Sequence, residues 1–250
     1  ALVKRSATYY SGAKGEEKAL YSQSYTNGNV SRTTLYNYNT TTGQLENTKT
    51  FKDTTERATQ VSGQWTKPIE SNLGVLRQIS HYRGDEGEEV IDWSQDFTGS
   101  VKGSETSRTT TVYTYDVDDL RSAVVYRDTA TRTVKPIQAT LDALVKRSAT
   151  YYSGAKGEEK IQATKNFSSQ GVWKSTTVFT YKADGVTLDY STIYRRAYTS
   201  PTDSFDISTL DYTQGTGAGQ ATIKSLTHYF GNEGEENIDY VQTFRSNNQV

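Results

Sequence analysis

Tyr10-Ser-Gly12-Ala-Lys-Gly15-Glu16-Glu17 is the first of four copies of one pattern, Tyr-x-Gly-x-x-Gly-Glu-Glu, in this 250-residue chain. The others are Tyr82-Arg-Gly84-Asp-Glu-Gly87-Glu88-Glu89, Tyr152-Ser-Gly154-Ala-Lys-Gly157-Glu158-Glu159 and Tyr229-Phe-Gly231-Asn-Glu-Gly234-Glu235-Glu236. Successive tyrosines lie 72, 70 and 77 residues apart. A pattern that returns at such a period marks a repeating structural unit before it marks a site. The units run over residues 1–72, 73–142 and 143–219, with a partial fourth at 220–250.

The residues around each copy extend the pattern. Tyr9, His81, Tyr151 or His228 precedes the tyrosine. Tyr21, Trp93, Ala163 and Tyr240 follow the second glycine by six residues, and Tyr25, Phe97, Phe167 and Phe244 by ten. Lys18 to Tyr25 and Asn237 to Phe244 are rich in aromatic and alternating residues, as strands are. The unit therefore reads as a β-hairpin whose wide turn is a glycine-rich acidic loop.

A second motif alternates with the first. It reads Ser31-Arg-Thr-Thr-Leu-Tyr36-Asn-Tyr38, Ser107-Arg-Thr-Thr-Thr-Val-Tyr113-Thr-Tyr115 and Ser175-Thr-Thr-Val-Phe179-Thr-Tyr181. A polar turn follows, then Leu45, Leu120 or Leu188, and an aromatic-basic pair closes it at Phe51-Lys52, Tyr126-Arg127 and Tyr194-Arg195. Alternation of large and polar residues predicts strands. Asn27-Gly28 predicts a tight two-residue turn. The expected fold is all-β: antiparallel hairpin repeats forming an extended or spiralling sheet, with tandem β-sandwich domains as the alternative. Helix should stay below about a tenth of residues, with Thr131 to Lys146 the only place for a short one.

The second motif resembles the YD repeat of RHS-type proteins, whose pattern runs roughly Tyr-x-Tyr-Asp-x-x-Gly-Arg-Leu. Tyr113-Thr-Tyr115-Asp116 and Tyr36-Asn-Tyr38-Asn39-Thr-Thr-Thr-Gly43-Gln-Leu45 carry the likeness. It covers three short hairpins, and the Gly-Arg-Leu part is never intact. The resemblance implies a long sheet wound into a spiral or shell on a large secreted or cell-surface protein. It implies no catalysis by the repeats.

Composition narrows the function classes. Hydrophobic residues make up 33%, a thin supply for a globular core. The 19 tyrosines compensate, because a tyrosine lays its ring on a thin core while its hydroxyl reaches water. A net charge of −1 offers no basic excess for nucleic acid. No run of 18 apolar residues reads as a spanning helix. Cysteine is absent, which removes disulfides and thiolate metal sites. The Ser/Thr/Asn/Tyr-rich character points to an extracellular or cell-surface setting. A chain that starts within a repeat is expected of a mature product or a segment of a longer protein.

The candidate chemistry is sparse. The Gly-Glu-Glu loops offer paired carboxylates, with Asp92 and Asp239 nearby, in the oxygen-rich manner calcium favours. Lys14, Lys18, Lys156 and Lys160 neutralise two of the four copies, and solvated acidic turns are the simpler reading. Two adjacent, repeated carboxylates do not make a glycosidase pair, which needs different environments across a cleft. His81 and His228 fill a slot that tyrosine fills elsewhere, so they read as half-buried packing residues. No triad, phosphate loop or metal spacing appears. The expectation is no enzyme, no catalytic residue, no metal and no cofactor. Trp65, Trp93 and Trp173 with the tyrosines could stack on sugar rings, or could form cross-strand ladders. Sequons at Asn29, Asn39 and Asn166 are glycosylation candidates.

Residues Ala1 to Lys18 are identical to Ala143 to Lys160, and Ile-Gln-Ala-Thr occurs at both Ile137 and Ile161. Recent tandem duplication explains this, as would a sequence joined from repetitive stretches. The leading expectation is a non-catalytic structural repeat protein of an extracellular fibre or cell-surface stalk. Its partners are identical subunits or further repeats of the same chain, with glycans as a further class, and neither nucleic acid nor membrane insertion. The alternatives are an adhesin or carbohydrate-binding surface module, and a shell segment of an RHS-type toxin.

Overall fold

The structure is a computed structural model that describes residues 4–195 and 222–244. The boundary expected between the third and fourth repeat units, at residues 219 and 220, lies outside the described residues. Strand accounts for 57% and helix for 4%, so the all-β expectation holds. The strands are β1 (Ser6–Ser11), β2 (Lys18–Thr26), β3 (Asn29–Tyr38), β4 (Leu45–Lys52), β5 (Gln60–Val61), β6 (Gln64–Trp65), β7 (Leu76–Arg83) and β8 (Val90–Thr98). They continue with β9 (Thr106–Asp116), β10 (Asp119–Arg127), β11 (Val145–Ser153), β12 (Lys160–Phe167), β13 (Trp173–Tyr181), β14 (Leu188–Arg195), β15 (Thr222–Phe230) and β16 (Asn237–Thr243). A short helix, α1 (Gln138–Asp142), falls inside the one segment where the sequence allows it.

Among the described residues, fourteen strands take in the sheet the order they have in the chain, from β1 to β16, with β5 and β6 set apart as a small hairpin. A meander of this kind has no crossover, unlike a Greek-key sandwich. Two compact units divide the chain. One holds Ala1–Val112 with Arg127–Leu141, the other Tyr113–Tyr126 with Asp142–Val250.

Local chemistry sets the register. Thr26 pairs with Asn29 across a turn whose Asn27 and Gly28 have φ of 52° and 79°. That is the primed turn whose twist suits a tight hairpin. In the first unit one face carries short polar side chains, with Thr34 opposite Thr50, Thr50 opposite Gln78, and Gln78 opposite Asp96. The other face carries Tyr9 opposite Tyr21 and Tyr21 opposite Leu35. Tyr9, Tyr21, Leu35, Phe51 and Leu73 form its buried core, with Trp65 packed edge-on to Tyr9 at 4.8 Å. The connection from β4 to β7 therefore folds back over β1–β4 and supplies the second half of a thin core. Full burial of one such aromatic contributes about 2–3 kcal/mol.

Candidate functional site

All four Gly-x-x-Gly-Glu-Glu segments connect hairpins: β1 to β2, β7 to β8, β11 to β12 and β15 to β16. Each hairpin shifts register at one place, after Tyr9, His81, Tyr151 or His228. The first glycine has φ of 125°, 115°, 114° and 121° at Gly12, Gly84, Gly154 and Gly231. A Cβ at Gly12 would stand 2.6 Å from the carbonyl oxygen of Glu16, so a side chain is excluded twice over. Gly15, Gly87, Gly157 and Gly234 also have positive φ.

The two glutamates of each loop behave differently. Glu16, Glu88, Glu158 and Glu235 are exposed. The second glutamate folds back on its own loop: Glu17, Glu89 and Glu159 accept the N–H of Gly15, Gly87 and Gly157 at 2.8, 2.9 and 2.8 Å. Its other oxygen reaches the hairpin that precedes it in the chain. Leu45 N–H donates to Glu89 at 2.7 Å, Leu120 N–H to Glu159 at 3.2 Å, and Leu188 N–H to Glu236 at 3.2 Å. These are the leucines that follow the polar turn of the second motif. Glu236 is held below the ordinary carboxylate range by its own N–H and that of Leu188. At Glu159, burial pushes the carboxyl up, and the N–H groups of Leu120, Glu159 and Gly157 outweigh it.

A fifth loop of this type joins β8 to β9. Glu105 accepts the N–H of Gly103 at 2.6 Å and of Leu76 at 2.8 Å. Ion pairs add to the loops. Lys18 meets Glu86 and donates to the Gly43 carbonyl at 2.7 Å, and Lys160 meets Glu233. Lysine at the start of the second strand thus faces glutamate in the next acidic loop, in alternating copies.

Behind the second motif lies a polar clamp that sequence reading missed. Gln23 donates to Thr33 Oγ1 and to the Thr55 carbonyl, both at 2.9 Å, and accepts the Arg57 N–H at 3.0 Å. Thr33 donates to Asp53 at 2.8 Å, and Arg57 Nε donates to Asp53 at 2.6 Å. The arrangement recurs at Gln95, Thr110, Ala130, Asp128 and Arg132. Gln23, Thr33, Gln95 and Thr110 are all no more than 1% exposed. Burial pushes the Asp53 and Asp128 carboxyls up, but Arg57 or Arg132 with the threonine hydroxyl outweighs it, and both pKa values lie below the ordinary one. Each clamp staples a connecting segment onto the sheet. The third repeat places Lys165 in the glutamine position, 7% exposed, with Nζ 4.6 Å from the Trp173 ring centroid. The sequence there has Arg196 where Asp53 and Asp128 stand in the other copies.

His81 and His228 take equivalent places in their hairpins. His81 stacks on Trp93, as Tyr9 stacks on Tyr21. His228 tilts against Tyr240 at 5.0 Å, and its Nδ1 lies 2.9 Å from Asp239. In the third copy Tyr151 covers the fully buried Ala163. Burial pushes the His81 pKa down, with Asp92 opposing it. Among the described residues no three His, Cys, Asp or Glu side chains gather as a metal site would require.

The sequons occupy different settings. Asn29 is exposed at the start of β3, and Asn166 is exposed within β12. The Asn39 side chain is engaged, accepting the N–H groups of Thr41 and Thr42 at 2.9 and 3.0 Å and donating to Glu46. A shallow polar depression of about 510 Å³ on the first unit is lined by Arg32, Lys52, Arg77 and Arg108 around Asp96. Gln78 and Thr109 already bond that aspartate.

No family model matches the chain, and no curated protein matches it.

The missed clamp had a signal. Phe51-Lys52-Asp53-Thr-Thr-Glu-Arg57 and Tyr126-Arg127-Asp128-Thr-Ala-Thr-Arg132 share an Asp-Thr-x-x-Arg tail beyond the aromatic-basic pair.

Proposed function

We propose that this chain is a non-catalytic structural repeat element of an extracellular fibre or cell-surface stalk. One observation carries the reading. Glu89, Glu159 and Glu236 each tie an acidic loop to the leucine of the hairpin before it. Three of the eight loop carboxylates thus join repeat to repeat. Units that interact chiefly with their neighbours can be added along one direction without altering those in place. An extracellular setting suits the exposed Asn29 and Asn166 as glycan carriers.

The adhesin alternative draws less support. Tyr9 stacks on Tyr21 and His81 on Trp93, which leaves one face of each ring occupied. The YD-type shell is a related proposal that rests on the Tyr-x-Tyr hairpins alone. Negative-stain microscopy with a glycan-binding screen of the purified chain separates the readings. Fibre growth without glycan binding supports the structural role. Discrete particles that bind a sugar class would overturn it in favour of the adhesin.

A further inference from the structure

β1 and β16 stand at the two ends of the strand order, and each pairs with one strand among the described residues. β16 is built like β2, β8 and β12, yet its side chains are exposed where theirs are covered. Tyr240 is 45% exposed, against 0% for Tyr21, 4% for Trp93 and 0% for Ala163 in the same register position. Ile238 and Val241 are 58% and 55% exposed.

Three internal examples define what covers such a strand. Tyr21 faces Leu35, Trp93 faces Val112, and Ala163 faces Val178. Two residues away Gln23 faces Thr33, Gln95 faces Thr110, and Lys165 faces Thr176. Each partner strand thus presents threonine and then, two residues on, leucine or valine. Those residues are nearly dry in place: Thr33, Thr110 and Thr176 at 0%, Leu35 at 1% and Val178 at 2%. On β16 the matching positions are Tyr240 and Gln242, so the edge offers an aromatic for the aliphatic residue and an amide for the threonine.

β1 displays the other half of the same absence. Its loop glutamate, Glu17, accepts the Gly15 N–H through Oε2. Oε1 has no partner among the described residues, whereas the same oxygen of Glu89, Glu159 and Glu236 holds a leucine N–H. That leucine always opens the second strand of a second-motif hairpin.

We infer that the outer edge of β16 and the outer edge of β1 are each, separately, a docking edge for the same kind of partner, a hairpin of the second-motif kind. Such a hairpin lays its Thr-x-(Leu/Val) strand on β16, and on another copy's β1 it lays its leucine-led strand with the leucine N–H on Glu17. This rests on the structural-repeat reading and names the chemistry of the joint. Backbone pairing supplies affinity and the alternate side chains supply specificity, as in strand addition to other sheet edges.

The probe is a fluorescein-labelled peptide of this chain's own Asn29–Lys52, titrated into the full chain and followed by anisotropy. Saturable binding is expected. Tyr240→Asp in the protein, with circular dichroism verifying the fold, should weaken it by about tenfold or more. Glu17→Gln should weaken binding at the β1 edge, and a peptide carrying Thr33→Asp and Leu35→Asp should not bind. Absence of saturable binding overturns the inference, as does binding unchanged by both protein variants or by the altered peptide. Filaments without peptide binding would leave the fibre reading standing and sink this one. Peptide binding without filaments would do the reverse.

Discussion

His81 and Trp93 lie face to face across β7 and β8, their ring centroids 4.0 Å apart and their planes within 2°. Tyr9 and Tyr21 meet in the same register at 4.4 Å and 13°. The histidine is therefore a packing residue in a slot built for a flat ring. His81→Tyr should fold normally and change stability at neutral pH by less than about 1 kcal/mol. The pH dependence should change more. Burial lowers the folded-state pKa of His81, so the unfolded chain binds the extra proton first. Stability at this site is present above the ordinary histidine pKa and falls as pH drops below it. Urea titrations between pH 7 and pH 5 should show a slope in the parent chain that His81→Tyr reduces.

Glu89→Gln should cost about 1–2 kcal/mol, because two backbone N–H groups lose a charged acceptor. Glu158→Gln, at the equivalent exposed first glutamate of the third loop, should change stability by less than about 0.5 kcal/mol. Equal effects in chemical denaturation would remove the distinction between the two glutamates.

Asp128→Ala should be the most damaging of these changes, at about 3–5 kcal/mol, since it strands Arg132 and the buried Thr110 hydroxyl. The parent clamp also has an acid limit. Both aspartate pKa values are depressed, so their stabilisation is complete above the ordinary aspartate pKa and lost as pH falls through the folded-state values. Tryptophan fluorescence in acid should report release of the segment carrying Trp65, which the Asp53 clamp holds near Tyr9.

Much of this fold is legible in the sequence because its determinants are local. Asn27-Gly28 dictates its turn, and Tyr-x-Gly-x-x-Gly dictates a loop that needs two positive-φ residues. The bonding partners are not local. Nothing near Glu89 marks Leu45 as its partner, 44 residues away, or separates it from Glu88. The clamps are hidden for the same reason: Gln23 looks like a surface residue until the connection from β4, carrying Arg57, folds back over it. Periodicity reads the faces of a strand, but it does not say which segment covers a face.

Val117 offers a gain in stability. It occupies a two-residue turn with φ of 57° and is 85% exposed, a conformation costly for a β-branched residue. Val117→Asn should raise stability by about 0.5–1 kcal/mol, read as a higher midpoint in thermal melts.

The structural role rests on growth along one direction, and sedimentation velocity across a wide concentration range tests it most directly. Exposed strand edges that join head to tail without closing give an open series of assemblies. The account predicts a sedimentation coefficient that climbs continuously with concentration and falls back on Tyr240→Asp substitution. A single monomeric species, unchanged at the highest concentration reached, would contradict it.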